Sequence, residues 1–353
     1  MEFTKNQTDT AKGVAICLMF AHHLYAFKDR LLNGNSFIPL VPFFKVEDYI
    51  GTFGNVCVSM FLFLSGYGLF LGYRRSQKTI LRYSFVKIKD FYLTYWLYFL
   101  VFVPIGIIFF KQVRLWGSNQ LRYSAEPITF LKNFLGWEST YNGEWWFVRM
   151  FIVTLVLLFP IYTKLTEKNI ILTLLVSLFL FSFSIKISPE IDPYKQLGFV
   201  IWQPSFALGL ICAKSKFFSS RFIRNLDEYG WIFVFPCLLI CLILRIKYQG
   251  IEATYDFLVV PFFIYLSIRA VEILCLSPLF MYLGKSSFPL WLVHSFFCYY
   301  YFQDIIYFPK WSPLIFVFLM VMSMLSVLVV EYLRSHFLHF KSLRTYLRIQ
   351  DRT

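Results

Sequence analysis

The stretch that decides the fold is SPLIFVFLMVMSMLSVLVVEYL, residues 312–333 of a chain of 353 residues. It holds no charged side chain before Glu331, and it has the length of about 20 residues that a helix needs to cross a bilayer. Similar stretches recur along the chain, in which 58% of residues are hydrophobic and only 15% are charged. Soluble proteins carry about 25% charged residues, so this composition indicates a protein that crosses a membrane several times.

We predict ten membrane-spanning helices, at approximately 13–28, 53–73, 91–110, 146–163, 169–185, 197–213, 229–246, 256–274, 286–303 and 312–333. The strands of a transmembrane β-barrel would be about 10 residues long and would alternate between apolar and polar side chains. These segments are longer and do not alternate, so the predicted fold class is an all-α integral membrane protein. We expect one membrane domain over residues 1–353, with no appended soluble domain.

The net charge of +14 indicates how the chain is oriented. With ten spans and a cytoplasmic N-terminus, 21 of the 34 Lys and Arg residues lie on the cytoplasmic side, five of them in the C-terminal tail. Twelve lie on the outer side, and Arg149 lies inside a span. Positive charge is enriched in cytoplasmic loops, so both termini are predicted to be cytoplasmic, and nucleic-acid binding is not expected.

Two loops carry residues that suit a ligand. The cytoplasmic loop 74–90 has six bases and one acid, which favours contact with anionic membrane lipids or, alternatively, with an anionic cofactor. The longest outer segment, from about 111 to 145, mixes tryptophan and tyrosine with glutamate. This mixture is typical of a sugar-facing surface and equally of the aromatic belt at a membrane boundary, and the sequence leaves both alternatives open.

The cysteines give no indication of a metal site. All seven fall within predicted spans or, for Cys275, directly at the end of one, and no CxxC motif occurs. Cys237 and Cys241 share a helix face but lack the histidine or acidic partners that a zinc site needs. We therefore expect small buried side chains and no metal.

Histidines inside predicted spans are strong functional candidates, because ionisable groups are costly to bury in a bilayer. Lys12 and His23 are eleven residues apart, which on an α-helix places them within about 20° of one face and about 16 Å apart. A cation at the mouth of the span and a deep imidazole would then line one path. Imidazole suits removal of a hydroxyl proton near neutral pH. His22 lies about 80° from this face, and a histidine merely hydrogen-bonded inside the bundle is the alternative interpretation.

Three other spans carry distinctive residues. The segment FLFLSGYG, residues 61–68, contains Ser65 and Gly66, whose small size allows close approach of a second helix. Glu144 and Arg149 flank the start of the fourth span and either pair across the turn or line a cavity. His294 lies in the ninth span, after a proline that indicates a kink or a helix start.

Taken in order, these segments resemble the acyltransferase 3 family of bacterial membrane O-acyltransferases. That family opens with an Arg or Lys, ten residues and a His, which Lys12 and His23 match and His22 does not. Its later motifs are similar to the segments around Ser65, Gly66 and Tyr67, around Lys87 and Lys89, around Trp146 and Phe147, and around His294. Lysine stands at positions 12, 87 and 89, where the family usually has arginine, and it lacks the planar fork that binds phosphate bidentately.

The resemblance implies transfer of an acyl group, usually acetyl, from cytoplasmic acetyl-CoA to a hydroxyl of an extracytoplasmic or lipid-linked polysaccharide, in the cytoplasmic membrane of a bacterium. His23 would either deprotonate the acceptor or carry the acyl group transiently. The candidate residues are, for catalysis, His23, Glu144 and His294; for cofactor binding, Lys12, Arg82, Lys87 and Lys89; and for the substrate or structural motifs, Ser65, Gly66, Tyr67, Trp146, Phe147 and Arg149. Expected partners are the glycan acceptor and membrane lipids, and an oligomer is left open.

The main alternative is a glycolipid or polysaccharide transporter, or a flippase, that moves its cargo without acyl transfer. Transporters favour inverted repeats and spans broken at matching positions, whereas the prolines here are scattered mostly towards span ends. A third alternative is a non-catalytic membrane domain of a larger assembly. Transfer of label from acetyl-CoA by the purified protein would distinguish an enzyme from both.

Overall fold

In a computed structural model, the described part of the chain is residues 3–187, 198–247 and 252–350, and it is dominated by α-helices. Within these residues β-structure is confined to two isolated bridges, Ile38 with Trp311 and Arg114 with Leu121. The all-α fold class is therefore confirmed for this part of the chain. The side chains of the basic C-terminal tail, from residue 337 onward, lie outside the described residues.

The helices follow one another with short connections. In chain order they are α1 (Lys5–Tyr25), α2 (Val46–Gly54), α3 (Val56–Arg75), α4 (Ile80–Phe109), α5 (Pro127–Phe134), α6 (Trp146–Val153), α7 (Phe159–Lys168), α8 (Ile170–Ile187), α9 (Gly198–Ser215), α10 (Arg221–Asp227), α11 (Gly230–Lys247), α12 (Glu252–Ile273), α13 (Ser277–Lys285), α14 (Ser287–Ser295), α15 (Gln303–Tyr307) and α16 (Ser312–Gln350). Turns of 3₁₀ helix lie at Lys28–Arg30, Gly143–Trp145 and Phe217–Ser219, and π-helical turns at Thr154–Leu158 and Phe296–Tyr300.

Several of these helices can cross a membrane. Among the described residues, four runs are long and apolar enough: Val46–Arg75, Ile80–Phe109, Gly143–Lys168 and Ser312–His336. A fifth is added if α10 and the first part of α11, between which the chain bends by 107°, count as one span. Helices lie at the other five predicted positions too, but within the described residues these do not meet the same test of length and apolarity. The count of ten spans and the orientation stay predictions.

Close packing of α3 against α9 depends on two glycines. A Cβ atom on Gly66 of α3 would lie 2.2 Å from the carbonyl oxygen of Phe206 in α9. A Cβ atom on Gly209 of α9 would lie 2.2 Å from the carbonyl oxygen of Phe63 in α3. Since real Cβ atoms do not approach so closely, only glycine allows the two backbones to touch here. Gly66 is therefore a packing residue.

The first helix is enclosed in the same way on two sides. A Cβ atom on Gly284 of α13 would lie 1.7 Å from the carbonyl oxygen of Asp9, near the start of α1. A Cβ atom on Gly54 of α2 would lie 2.2 Å from the carbonyl oxygen of Leu18, in the second half of α1. These contacts hold α1 in the interior along most of its length, and His23, near its end, is buried.

The last turn of α1 is fixed by tyrosine hydroxyls. A helix end leaves main-chain carbonyls without intrahelical partners, and inside a membrane each needs a donor. The hydroxyl of Tyr299 donates to the carbonyl oxygen of His23 at 2.5 Å, and that of Tyr307 donates to the carbonyl oxygen of Leu24 at 2.9 Å. The residues just before and within α15 therefore hold the end of α1 that carries His23.

A buried ion pair closes the end of α2. Arg245 of α11 binds Asp256 of α12 through Nε and Nη2, each at 2.8 Å from a carboxylate oxygen. Its Nη1 also donates to the carbonyl oxygens of Thr52 and Phe53, at 2.7 and 2.6 Å. The guanidinium thus satisfies the carboxylate and the last carbonyls of α2 together, which is the condition under which a buried charge is tolerated.

Replacement of Gly66 by alanine tests the packing of α3 against α9. We expect Gly66→Ala to lower the free energy of unfolding by about 1–3 kcal/mol, because the new methyl group overpacks the contact. Thermal unfolding of the purified protein in detergent measures the effect. Gly68→Ala, on the same helix with open space around it, is the matched control and should not lower stability, since alanine favours a helix over glycine by about 0.5–1 kcal/mol. Equal effects of the two substitutions would contradict the packing role.

Candidate active site

A cavity of about 630 Å³ lies beside α1, within the size range of about 300–1,000 Å³ that is typical of ligand sites. Lys12 and Lys285 line it where α13 packs against the start of α1, and Arg30 lines it beside Glu144. His23 follows Lys12 by eleven residues on α1 and faces Glu144, so it lies between these two ends. We call these the Lys12 end and the Arg30 end. Apolar and aromatic side chains form most of the remaining wall, among them Met19, Phe61, Phe91, Phe147, Phe151, Phe288 and Trp291.

The centre of the cavity is a cluster of three polar side chains from different segments. Nε2 of His23 lies 3.5 Å from Oε2 of Glu144. The other carboxylate oxygen, Oε1 of Glu144, accepts a hydrogen bond from Nη1 of Arg30 at 3.0 Å. His23 and Glu144 are both buried, and Arg30 is about one-quarter exposed. The carboxylate is therefore shared between a permanent cation and an imidazole that faces the cavity.

Glu144 is placed by the turn before α6. The side chain of Asn142, which is fully buried, accepts hydrogen bonds from the main-chain N–H of Glu144 at 3.1 Å and from the hydroxyl of Ser295 at 3.0 Å. Its amide donates to the same serine oxygen at 2.7 Å. The N–H of Gly143 donates to the hydroxyl of Tyr300 at 3.0 Å. These bonds tie the turn to the residues around the end of α14.

Arg30 is placed by the segment that follows α1. Its guanidinium carbon lies 3.8 Å from the centre of the Phe27 ring, a cation–π distance. Its carbonyl oxygen accepts a hydrogen bond from Nε2 of Gln303 at 3.0 Å, and Oε1 of the same glutamine accepts from the N–H of Leu32 at 2.6 Å. A single buried amide therefore fixes the path of the chain on both sides of Arg30.

The two neighbouring histidines face different partners. Nδ1 of His22 donates to the carbonyl oxygen of Gly51 in α2 at 2.7 Å, because a carbonyl oxygen can only accept. His23 instead faces Glu144, as the spacing from Lys12 favours. Both rings line the cavity, with their centres 5.1 Å apart.

His294 lies behind His23. The centres of the two rings are 4.9 Å apart, and the other face of His294 stacks on Phe20. Nδ1 of His294 donates to the carbonyl oxygen of Trp291 at 2.8 Å, and its buried Nε2 has no hydrogen-bond partner among the described residues. His294, the third catalytic candidate, therefore packs behind His23, and it does not itself line the described cavity.

The four predicted cofactor-binding residues separate into two groups. Lys12 lines the cavity, 3.5 Å from Oδ1 of Asp9. Lys87 lies 3.8 Å from Asp90 and one helical turn before Phe91, a lining residue, so it is on the cavity side of α4. Arg82 and Lys89 are exposed at about 180° and 200° from Phe91 on the same helix. They project from other faces of α4.

The predicted motif residues also divide. Ser65, Trp146 and Phe147 line the cavity, whereas Tyr67 is buried among aromatic rings, including those of Phe3 and Phe218. Two of the motifs thus contribute directly to the wall.

The suggested pairing of Glu144 with Arg149 is wrong. Nη1 of Arg149 donates to the carbonyl oxygen of Trp137 at 2.9 Å, while Glu144 pairs with Arg30 and His23. Five residues make about 500° on a helix, which places the two side chains on nearly opposite sides. Arg149 therefore binds the outer segment at Trp137 and does not reach the carboxylate of Glu144.

Arg30, Lys285 and Tyr299 are site residues that the sequence did not predict. Arg30 ends a short 3₁₀ turn and Lys285 is the last residue of α13, a helix outside the predicted spans, so the spacing within the predicted spans gives no facing direction for them. Arg30 follows His23 by seven residues, and a charge so close to a span end is the one signal that pointed to it. Among the described residues, no group of three or more His, Cys, Asp or Glu side chains is arranged to hold a metal ion. The expectation of no metal stays a prediction.

Comparison with known proteins places this geometry in a family. A family model described as an acyltransferase domain, Acyl_transf_3, matches residues 6–332, which include Lys12, His23, Glu144 and His294. No curated protein and no solved structure matches the chain. The match confirms the resemblance found in the sequence motifs. The chain belongs to the acyltransferase 3 family and is a multi-pass membrane acyltransferase.

Proposed function

We propose that this protein moves an acetyl group from acetyl-CoA to a hydroxyl of an extracytoplasmic or lipid-linked glycan, in the cytoplasmic membrane of a bacterium. The observation that carries the proposal is the single cavity that joins a cationic end to an acid–base pair. The Lys12 end would face the cytoplasm, in agreement with the excess of positive charge predicted there.

The Lys12 end suits an anionic acyl donor. Lys12 and Lys285 line it, and Lys87 lies one turn from its wall. These ammonium groups would hold the phosphates of CoA by charge-assisted hydrogen bonds. Arg82 and Lys89 would contact only the part of the nucleotide that extends beyond the cavity.

The middle of the cavity suits the arm and thioester of the donor. Lys12 and His23 are about 16 Å apart along α1, a length that an extended pantetheine arm can span. Aromatic rings such as Phe91 and Trp291 line this stretch, and they would exclude water from the thioester. The acyl carbon would then reach the imidazole of His23 without leaving the cavity.

The Arg30 end suits a hydroxyl acceptor. Trp116, Ser139 and Tyr300 line it, and Trp116 is about one-third exposed. An indole face and nearby hydroxyl groups are suitable contacts for a sugar ring. Of the two alternatives for the outer segment, this arrangement favours the sugar-facing one for Trp116, whereas Trp137 projects outward and is more than half exposed.

The chemistry follows from the contacts of His23. Nε2 of His23 takes the proton of the acceptor hydroxyl as the oxygen attacks the thioester carbonyl carbon. The new C–O bond forms, the C–S bond breaks, and the imidazolium returns its proton to the CoA thiolate. The carboxylate of Glu144, 3.5 Å from Nε2, stabilises the imidazolium between these two steps. Acyl-CoA and alcohol thus give ester and free CoA, with no other reactant.

Removal of the imidazole tests the catalytic role of His23. We expect His23→Ala to lower the turnover number for acetyl transfer by about 100-fold or more, because the general base is lost. Transfer of label from acetyl-CoA by the purified variants measures the turnover number, and mass spectrometry of surface glycans from cells that carry each variant measures the acetyl content. His336→Ala, at an exposed histidine far along α16, is the matched control and should retain full acetylation. Retained acetylation in His23→Ala together with loss of acetylation in His22→Ala would contradict the role of His23 and identify His22 as the base.

Charge reversal tests the donor end. We expect Lys12→Glu combined with Lys285→Glu to raise KM for acetyl-CoA by about tenfold or more, because two charge-assisted contacts to phosphate are replaced by repulsion. Steady-state kinetics with purified enzyme measure KM.

Lys164→Glu combined with Lys168→Glu is the control for this test, since it makes the same change of charge at exposed positions on the side predicted to be cytoplasmic. An unchanged KM in the double variant would reject the phosphate role of the Lys12 end.

A further inference from the structure

We propose that Tyr299 is a positioning residue that holds the proton of neutral His23 on Nδ1 and so leaves the lone pair of Nε2, beside Glu144, free to take a proton. The proposal deepens the proposed function, since it takes from it the role of His23 as a base. The assignment of the proton, however, depends only on hydrogen bonds among described residues.

The hydroxyl of Tyr299 has one proton, and its contacts decide where that proton points. The phenol oxygen lies 2.5 Å from the carbonyl oxygen of His23 and 3.3 Å from Nδ1 of the same residue. A carbonyl oxygen can only accept, so the phenol must donate its proton there. Toward Nδ1 it therefore presents only lone pairs, and Nδ1 must carry hydrogen for the contact to be favourable. A neutral imidazole has one N–H, which leaves the lone pair on Nε2.

The competing acceptor for the proton is Oε2 of Glu144, but at 3.5 Å from Nε2 it lies beyond the usual length of an N–H···O hydrogen bond, whereas the contact of Nδ1 with Tyr299 at 3.3 Å has hydrogen-bond geometry. Tyr299 is 2% exposed, so water does not replace either hydrogen bond. His22 and His294, the two neighbouring imidazoles, both donate through Nδ1 to main-chain carbonyls of Gly51 and Trp291. Neither presents an Nδ1 proton to His23. A buried Nδ1 lone pair facing the oxygen of Tyr299 would have no donor, since the phenol proton already binds the carbonyl oxygen of His23, and an unsatisfied buried group is costly.

A π-helical turn brings Tyr299 into this position. After α14 the chain continues as the turn Phe296–Tyr300, in which the N–H of Tyr301 donates to the carbonyl oxygen of Phe296 at 2.7 Å. The wider turn places Tyr299 beside His23 and Tyr300 beside the turn that carries Glu144. Tyr299 binds His23, and Tyr300 accepts from the N–H of Gly143, directly before Glu144. Such turns occur often at functional sites.

These contacts determine which ring nitrogen of His23 acts as the base. With Nδ1–H bound to Tyr299, only Nε2 can receive the proton of the acceptor hydroxyl, and the imidazolium that forms then points Nε2–H at Glu144. In the Ser-His-Asp triad an aspartate orients the histidine from the Nδ1 side. Here a neutral phenol would do so, and it would hold the histidine by its backbone as well as by its ring.

Removal of the hydroxyl tests the positioning role. We expect Tyr299→Phe to lower kcat for acetyl transfer by about tenfold or more, because the tautomer with the proton on Nε2 becomes accessible. KM for acetyl-CoA should change by less than about twofold, since Tyr299 does not line the donor end. Tyr307→Phe is the matched control: it removes a buried hydroxyl that binds the next carbonyl, of Leu24, and touches no imidazole. Equal losses of kcat in the two variants would overturn the proposal.

The tautomer itself is measured by ¹⁵N NMR of the histidine-labelled full-length protein in lipid, with His23→Gln used to assign the signal. We expect the proton on Nδ1 in the unsubstituted protein and a mixture of tautomers in Tyr299→Phe. A proton found on Nε2 in the unsubstituted protein would overturn the proposal even if Tyr299→Phe fails to fold. Since this measurement needs no substrate, a lack of acetyl transfer would refute the proposed function and leave the assignment of Tyr299 to be decided separately.

Discussion

Glu144 is held between Arg30 and His23, and the arrangement of the whole cavity depends on this shared carboxylate. Burial of a carboxylate costs several kcal/mol unless a cation and further hydrogen bonds compensate it. Arg30 supplies the cation, and the imidazole of His23 faces the second oxygen. The three residues come from the chain after α1, the turn before α6 and α1 itself. Their contact therefore fixes three segments relative to one another at the point where a proton must move.

The rest of the structure can be understood as support for the end of α1. Gly54 and Gly284 let neighbouring backbones approach α1, so the helix cannot shift without a collision. Arg245 closes the last turn of α2, the helix whose carbonyl at Gly51 holds His22. The hydroxyls of Tyr299 and Tyr307 donate hydrogen bonds to the carbonyl oxygens at the end of α1. In an apolar environment, each of these polar groups must find its partner inside the protein, so support of the helix and placement of His23 are the same requirement.

The sequence predicted the all-α class and the geometry of α1, because both follow from the spacing of residues on a helix. Lys12 and His23 do line one cavity, as their spacing of eleven residues predicts. The partner of Glu144 could not be predicted, since Arg30 lies in an irregular connection whose path is set by Gln303, more than 270 residues later. Tyr299 was missed for a related reason: a π turn changes the direction of side chains, and residue periodicity gives no indication of it.

In the proposed function, one cavity connects a donor on one face of the membrane to an acceptor on the other. The most direct measurement uses the purified protein in vesicles of known orientation, with labelled acetyl-CoA on one side and a glycolipid extract of the source cells as acceptor. We predict that label enters the glycan only when acetyl-CoA is on the side of Lys12 and Lys285. Movement of glycolipid across the membrane with no label in the product would contradict the account and identify a transporter.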